Sequence, residues 1–355
     1  MSSRRLLLAF VALAAAATVP AAAQMPKSAL LVMLRISKTA GTVAIIDPAS
    51  GKIVGRVRVA EDPHGVDVSP DGRIAYVANT SGEGGNTLSI VDLVAQKELR
   101  RVDFPKSGPH DVQVVRGKVF FTASGRKAIG RYDPATGQTE FLSTGAYGTR
   151  MMDVSEALDT IYASSQSSKS VLVLEGVSKA PSEVKLTVID IGHPGEGITL
   201  SPNGKEVWTA DNDGSGVTII DTATKKVQQT LPIKSDHANR IAFAPNGRYV
   251  LLLDRDVGET IIIDAISKKE AKRIRHNDSV PGAGLMGIFD LTMAADSSRA
   301  FVAVADIPDV QPPSRVKPVK GGKHHIAVID LKTLEVVNRF PTEIPGDEMT
   351  WVEMK

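Results

Sequence analysis

The chain has no cysteine among its 355 residues. This excludes disulfides, thiolate metal sites, cysteine nucleophiles and the covalent attachment of c-type haem. Small exported domains often depend on disulfides, but a chain of this length can bury a core large enough to fold without them. Any metal site must therefore be built from imidazole, carboxylate and other oxygen ligands.

Aromatic residues are scarce and no sign of charge dominates. Phe, Trp and Tyr make up 5% of the chain and are scattered, which argues against a stacking platform for single-stranded nucleic acid. There are 42 basic and 40 acidic residues, and Arg4 and Arg5 are the only charged residues before position 24. The rest of the chain is formally neutral and offers no general attraction to nucleic acid or anionic lipid.

No apolar run is long enough to span a bilayer. The longest, Leu6–Val19, has 14 residues, against the roughly 20 that a transmembrane helix needs. Arg4 and Arg5 precede it and Ala21–Ala23 follow it, an arrangement typical of a cleaved secretory signal over residues 1–23. The arginine pair also resembles a twin-arginine export signal. We therefore expect a periplasmic or secreted protein that does not span the membrane.

A short apolar phrase that ends in an acid recurs seven times. The spacings between successive acids are 45, 41, 42, 46, 43 and 66 residues. A strand-rich unit that repeats about every 40–45 residues is the signature of a β-propeller. The seven copies are Val43–Asp47, Leu88–Asp92, Ile129–Asp133, Val171–Glu175, Val217–Asp221, Ile261–Asp264 and Ile326–Asp330.

The first and last segments of the repeat region are out of phase. The N-terminal segments 29–36 and 43–47 read as second and third strands with no inner strand before them, while Met349–Met354 reads as an inner strand with nothing after it. We expect these ends to share one blade, which would close the ring and remove exposed sheet edges. The prediction is an all-β, seven-bladed propeller over residues 24–355, with a monomer as the default state.

The last spacing is about 20 residues longer than the others. The excess, at about 306–323, is rich in Pro, Gly, Lys and Arg and reads as a basic loop. Long loops in compact domains are usually either functional or disordered, and both interpretations stay open.

The repeats resemble a known family. They combine Ser-Pro-Asp/Asn-Gly turns, as at Ser69–Gly72, with a Tyr-Val-Ala-Asn strand at Tyr76–Asn79 and a hydrophobic-Ile-Asp ending. This looks like the YVTN-type, YncE-like β-propeller repeat and covers almost all of residues 24–355. The resemblance implies the fold. It also implies kinship with periplasmic and surface-layer binding proteins and with propeller companions of haem or quinone enzymes, while lactonases share the architecture. No catalytic motif of the family transfers onto this chain.

The repeats separate structural from functional residues. The seven acids fall in hairpins between third and fourth strands, where they can accept main-chain N–H bonds, and we interpret them as structural. All seven histidines map instead to the opposite face of the predicted disc. They are His64, His110, His193, His237, His276, His324 and His325.

Aligning the inner strands predicts a ring of side chains around the axis. A purely scaffolding repeat would tend to keep one residue type at such positions, so their divergence predicts an asymmetric pocket. The first position of each blade holds His64, His110, Arg150, Glu196, Asn239, Phe289 and Asp347. The second holds Gly65, Asp111, Met151, Gly197, Arg240, Asp290 and Glu348.

Three interpretations of this ring compete. In the first, His64 and His110 with Glu196 or Asp347 bind a divalent metal such as Zn, Cu, Fe, Mn or Ca. In the second, Arg150 and Arg240 clamp an anion while the histidines donate hydrogen bonds or transfer protons. In the third, the polar groups satisfy one another. Ligand contacts are expected from a set that comprises Arg150, Glu196, Asn239, Arg240, Phe289, Asp290 and Asp347.

These interpretations give three functional predictions. The first is an exported binding or accessory protein that holds a small anionic ligand or a metal at the axial mouth. The second is a metal-dependent, lactonase-like hydrolase or lyase, with His64, His110, Arg150 and Arg240 as catalytic candidates. The third is a docking platform for a periplasmic redox enzyme. The sequence does not decide whether the protein is an enzyme.

Overall fold

A computed structural model of the protein describes residues 25–37, 40–80, 86–214, 216–255, 257–276, 285–307, 324–342 and 346–355. The expected signal peptide lies outside these residues, and so do residues 308–323 of the basic loop. Among the helices of the described part, none has the length and hydropathy of a membrane span.

Seven four-stranded antiparallel sheets form a ring, as the sequence predicts. In chain order, blade 1 comprises β4 (Pro63–Val68), β5 (Ile74–Asn79), β6 (Thr87–Asp92) and β7 (Lys97–Asp103); blade 2, β8 (Pro109–Val115), β9 (Lys118–Ala123), β10 (Ala128–Tyr132) and β11 (Thr139–Ser143); blade 3, β12 (Thr149–Ser155), β13 (Thr160–Ser165), β14 (Ser170–Glu175) and β15 (Lys185–Asp190); blade 4, β16 (Gly195–Leu200), β17 (Glu206–Asp211), β18 (Gly216–Asp221) and β19 (Lys226–Leu231).

The remaining blades follow the same plan, except that blade 7 is built from both ends of the chain. Blades 2 and 3 each contain a short 3-10 helix, at Ser124–Arg126 and Pro181–Glu183. Blade 5 comprises β20 (Ala238–Phe243), β21 (Tyr249–Asp254), β22 (Glu259–Asp264) and β23 (Lys269–Arg275); blade 6, β24 (Leu285–Met293), β25 (Arg299–Ile307), β26 (His325–Asp330) and β27 (Glu335–Pro341); blade 7, β28 (Gly346–Glu353), β1 (Ser28–Ser37), β2 (Ala40–Ile46) and β3 (Ile53–Val59).

Blade 7 closes the ring as expected. Its strand order is β28-β1-β2-β3, so the C-terminal strand pairs with the N-terminal strand, with Leu30 opposite Trp351. The main-chain N–H of Met354 also donates to the carbonyl of Lys27, at 2.9 Å. The inner strands β4, β8, β12, β16, β20, β24 and β28 contact one another in cyclic order around the axis.

The hydrophobic core is divided among the seven blade interfaces, because each sheet is covered on both faces. In β2, Val43 and Ile45 pack against blade 1, whereas Ala44 and Ile46 pack against blade 6. The alternation follows the two-residue period of a strand. Central strands therefore read as continuous apolar runs even though the sheets are antiparallel.

The acids that end the third strands are structural, as predicted. Asp92 accepts the main-chain N–H of Ala95 at 2.7 Å, and Asp221 accepts that of Thr224 at 2.7 Å. Asp47, Asp133, Asp264 and Asp330 make equivalent bonds two or three residues on. Glu175 departs from the pattern and pairs with the Lys225 ammonium at 2.6 Å.

Candidate functional site

Every inner strand carries a β-bulge where it begins at the axial mouth. In blade 1, Pro63 pairs with Asn79 but Val66 pairs with Val77, so two residues of β4 oppose one of β5. A bulge bends the strand and changes the direction of its side chains. The bulged residues coincide with the ring predicted from sequence: His64–Gly65, His110–Asp111, Arg150–Met151, Glu196–Gly197, Asn239, Phe289–Asp290 and Asp347–Glu348.

Adjacent bulges lie close together. A Cβ built on Gly65 would lie 2.6 Å from the carbonyl oxygen of His110 and 2.7 Å from Cα of Asp111. Between blades 2 and 3, the Thr122 hydroxyl accepts the N–H of Asp111 at 3.0 Å and donates to the carbonyl of Arg150 at 3.1 Å. These contacts fix the relative positions of the side chains at the mouth.

His64 and His110 meet, as their places on adjacent blades predict. Their rings stack with centroids 4.4 Å apart and an interplanar angle of 25°. Together with Glu348 they offer three ligand atoms that all lie within 4.8 Å of one another. His64 Nδ1 lies 3.9 Å from Glu348 Oε1 and 4.0 Å from Asp347 Oδ2, and His64 Nε2 lies 3.7 Å from Asp62 Oδ1.

His110 is buried and held in its neutral form. Burial, reinforced by the nearby His64 and Arg150, lowers the pKa of His110 well below its usual value. Its Nδ1 atom is buried and makes no hydrogen bond within the described part of the chain. A neutral imidazole with an unused ring nitrogen is the form of histidine that binds metals.

Glu348 is ionised and belongs to a buried charge network around Arg240. Burial opposes ionisation, but Arg240 and His64 outweigh it and hold the pKa of Glu348 well below its usual range. The Arg240 guanidinium donates to Glu348, and its Nε lies 3.3 Å from Asp290 Oδ1. Burial, with the nearby charge of Glu348, raises the pKa of Asp290 well above its usual value. Arg240 is thus surrounded by carboxyl groups.

Glu196 lies in the opposite part of the mouth and takes other partners. Asn212 donates to it at 2.5 Å, Arg150 and Arg240 lie at 3.8 and 3.7 Å, and His237 Nε2 lies at 3.8 Å. Burial raises the pKa of Glu196, but His237 and Arg240 outweigh it and the net shift is downward. Glu196 does not belong to the group of close metal-ligand atoms in the described chain.

Asn239 and Phe289, which were also predicted to contact a ligand, lie in different surroundings. Asn239 is buried, and its Oδ1 atom finds no donor among the described residues. The ring of Phe289 lies under the Arg255 guanidinium, with 5.1 Å from Cζ to the ring centroid.

Below the mouth, carboxyl groups join the inner strands across blade boundaries. Asp67 accepts the N–H of Val114 at 2.7 Å, Asp111 that of Met152 at 2.8 Å and Asp153 that of Leu200 at 2.7 Å. They line an axial cavity of about 320 Å³, together with Arg240, Asp290 and Glu348.

All seven histidines lie at the end of the disc where the inner strands begin, but only some line the axis. His193 Nδ1 is 3.5 Å from Asp211 Oδ2, and its Nε2 is 3.2 Å from the Thr218 hydroxyl. His276 is fully buried beside the Thr260 hydroxyl at 2.9 Å, and burial lowers its pKa to about 3. His324 and His325 are buried around the start of β26.

Sequence reasoning placed Glu348 in the ring but did not choose it as a metal ligand. It placed His237 on this face without giving it a role at the site, and it gave Asp62 and Asn212 no role there. A signal for Glu348 was present, since blade 7 is the blade with carboxyls at both bulge positions, Asp347 and Glu348. Asn212 directly follows β17 and His237 directly precedes β20, but their contact with Glu196 depends on side-chain direction, which repeat alignment does not give.

No protein-family model matches this sequence, and neither does any curated protein. Solved structures that are similar in fold include the following two. One is hydrazine synthase from Kuenenia stuttgartiensis, with a TM-score of 0.62 and 21% identity over 74% of this chain and 86% of that one. The other is the dihydro-heme d1 dehydrogenase NirN in complex with DHE, with a TM-score of 0.60 and 14% identity over 92% of this chain and 75% of that one.

These likenesses show the fold. The YVTN-type family assignment stays a prediction from the repeat motifs.

Proposed function

We propose that the protein binds a divalent transition-metal ion at the axial mouth through His64, His110 and Glu348. The observation that carries this proposal is the convergence of their three ligand atoms to within 4.8 Å of one another. In a tetrahedral site, metal bonds of about 2.1 Å place two ligand atoms about 3.4 Å apart. Side-chain rotations that bring the most widely separated atoms about 1.4 Å closer would therefore complete the site.

The donor set favours a transition metal over calcium. Two imidazoles and one carboxylate suit Zn²⁺, Fe²⁺ or Cu²⁺, whereas Ca²⁺ prefers six to eight oxygen ligands. Asp347, 4.0 Å from His64, could act as a fourth ligand or orient the imidazole. Three protein ligands leave coordination positions open, as in catalytic rather than structural zinc sites.

The charge of the mouth favours a bound cation over the predicted anion clamp. Arg240 is buried among Glu348, Asp290 and Glu196, so it has little capacity for another anion. A metal ion bound to Glu348 would share this carboxylate with Arg240, whose guanidinium already neutralises part of its charge. The metal interpretation is therefore our first choice, with Glu348 in place of the Glu196 or Asp347 that the sequence suggested.

The alternatives remain proposals at the same site. A metal with open positions could polarise a carbonyl or activate water, as the predicted lactonase-like hydrolase or lyase requires. Docking to a redox enzyme gains some support because one structural neighbour is named as a dehydrogenase. Most of the basic loop that this docking would use lies outside the described residues. Export, from the signal at residues 1–23, remains a proposal.

The proposal is tested by metal binding to protein purified without a His-tag. Elemental analysis and titration with Zn²⁺ and Co²⁺ should give about one tightly bound ion per chain. His64→Ala, His110→Ala and Glu348→Gln should each weaken binding, and His64→Ala/His110→Ala should abolish it. His193→Gln is the matched control, because His193 lies on the same face but pairs with Asp211. Unchanged binding in His64→Ala/His110→Ala would refute the proposal.

A further inference from the structure

Arg150 lies beside the proposed metal ligands. It occupies the first bulge position of blade 3, next to the bulge of blade 2 that carries His110. Thr122 bridges the two bulges through its hydrogen bonds to Asp111 and Arg150. A guanidinium and a candidate metal site therefore share one side of the mouth.

Arg150 differs from Arg240 in how far its charge is satisfied. Its side chain is 39% exposed, and the one carboxylate within 4 Å among the described residues, Glu196 Oε1, lies 3.8 Å away, beyond hydrogen-bond distance. Its Nε is buried with no acceptor among the described residues. Arg240, in contrast, is 10% exposed and has three carboxyl groups within 4 Å. Arg150 therefore keeps N–H groups available to an acceptor that enters from solvent.

We propose that Arg150 binds one carboxylate of a small dicarboxylate whose other carboxylate coordinates the metal held by His64, His110 and Glu348. The inference rests on the proposed metal site. Guanidinium groups bind carboxylates through paired, charge-assisted N–H···O bonds, and a metal with open positions accepts carboxylate oxygen. A ligand with one carboxylate at each end would satisfy both groups at once.

The surroundings also argue for a ligand that bridges rather than one that binds Arg150 alone. Glu196 and the Arg240 network place carboxylates on the far side of Arg150, and these would repel a free anion. The positive charge of the metal would offset that repulsion on the near side. We therefore expect dicarboxylate binding to depend on the metal as well as on Arg150.

The test uses protein loaded with Co²⁺, whose visible absorption reports changes in coordination. Oxalate, malonate, succinate and the monocarboxylate propionate are titrated into wild type and Arg150→Gln. At least one dicarboxylate should bind wild type more tightly than propionate does and lose about tenfold or more in affinity in Arg150→Gln. Propionate and Co²⁺ itself should bind both proteins equally. Arg150→Lys, which keeps the charge but not the paired geometry, should fall between them.

The control is Arg248→Gln, an exposed arginine in the turn between β20 and β21 at the other end of the disc. It should bind every probe as wild type does. If no dicarboxylate binds more tightly than propionate, or if Arg150→Gln binds it equally well, the dicarboxylate proposal is wrong although the metal site stands. If wild type does not bind Co²⁺, the metal proposal itself fails.

Discussion

At the residue scale, buried carboxyl groups connect neighbouring blades. Asp67, Asp111 and Asp153 each accept a main-chain N–H from the inner strand of the next blade, and Asp290 accepts that of Met349 at 2.6 Å. Each carboxyl thereby satisfies a donor that the bulged or unpaired edge of an inner strand leaves free. The cost is the burial of an acid, which raises its pKa.

Asp67 gives a prediction about the pH dependence of stability. Burial raises its pKa from 3.8 to about 6, against the opposing bonds from Val114 and Val68. Between about pH 4 and 6 the folded state binds a proton that the unfolded state has released, so this residue makes stability fall as pH rises. Asp67→Asn should remove that dependence. Relative to wild type, its free energy of unfolding should rise by up to about 3 kcal/mol from pH 4 to pH 6.5.

Denaturant titrations at several pH values measure this difference. Asp71→Asn serves as the control, because hydrogen bonds from Ser69 and Arg73 lower the pKa of that exposed aspartate. A lowered pKa makes stability fall only as pH drops below about 4, so the difference between Asp71→Asn and wild type should be almost flat from pH 4 to 6.5. A flat difference between Asp67→Asn and wild type across this range would mean that Asp67 stays ionised in the folded protein.

At the element scale, the bulges convert seven similar strands into an asymmetric site. The repeat supplies a bulge at the same place in every blade, and the residues within the bulges differ from blade to blade. The strands can approach this closely because Gly65 and Gly197 have no Cβ to clash with the neighbouring bulge. The scaffold is therefore repetitive while the mouth is not.

Gly65→Ala should disturb both packing and metal binding. The added Cβ would meet the main chain of His110 and Asp111, which cannot rotate away, so the two bulges must separate. We expect a loss of about 1–3 kcal/mol in the free energy of unfolding. Co²⁺ affinity should fall as well, because the movement separates His64 from His110.

The matched control for this variant is Gly197→Ala. Its Cβ would meet the main chain of Asn239 and Arg240 in the next blade, away from both histidines. It should lose a comparable amount of stability with a smaller effect on Co²⁺ affinity. Equal losses of affinity in the two variants would show that metal binding responds to general loosening of the ring rather than to the His64–His110 distance.

At the scale of the whole molecule, stability depends on closure of the ring. β28 supplies the inner strand of blade 7 and packs Val352 into the core shared with blade 1. Without it, β1 would expose an unpaired edge, which favours aggregation. The same strand carries Asp347 and Glu348, so closure and the candidate metal site depend on the same eight residues.

Removal of residues 346–355 should therefore abolish cooperative unfolding and produce aggregates, as measured by thermal melts and size-exclusion chromatography. The control keeps every strand but changes the connectivity. A circular permutant joins Lys355 to Met25 by a short linker and opens the exposed turn at Gly137. It should melt within a few degrees of wild type, since Met354 and Lys27 are already hydrogen-bonded. A truncated protein that melts like wild type would disprove the dependence on closure.

Local patterns were sufficient to predict the fold. An apolar run that ends in an acid recurs from Val43–Asp47 to Ile326–Asp330. Each copy indicates a hairpin, because the hydrogen bonds of the acid involve only residues a few positions away. Ring closure followed from the phase of the two ends. Both inferences use interactions within one repeat, which sequence spacing records directly.

The site was predicted only in part, because its contacts join residues far apart in the chain. Alignment of repeats identified the ring positions, and adjacency of blades predicted that His64 and His110 meet. It could not decide that Glu348, rather than its neighbour Asp347, lies with them, because that choice depends on side-chain direction at the bulge. Nor could it give the partners of Asn212 and His237, for the same reason.

By itself, the sequence determined a seven-bladed ring and the positions that surround its axis, because periodicity and alternation are local properties of the chain. Only the tertiary structure decided which of those positions cooperate. It brought Glu348 to the histidines, surrounded Arg240 with carboxylates and left Arg150 available. Burial and charge act through space, between residues that are far apart in the chain. His64 and Glu348, which meet at the mouth, are 284 positions apart in the sequence.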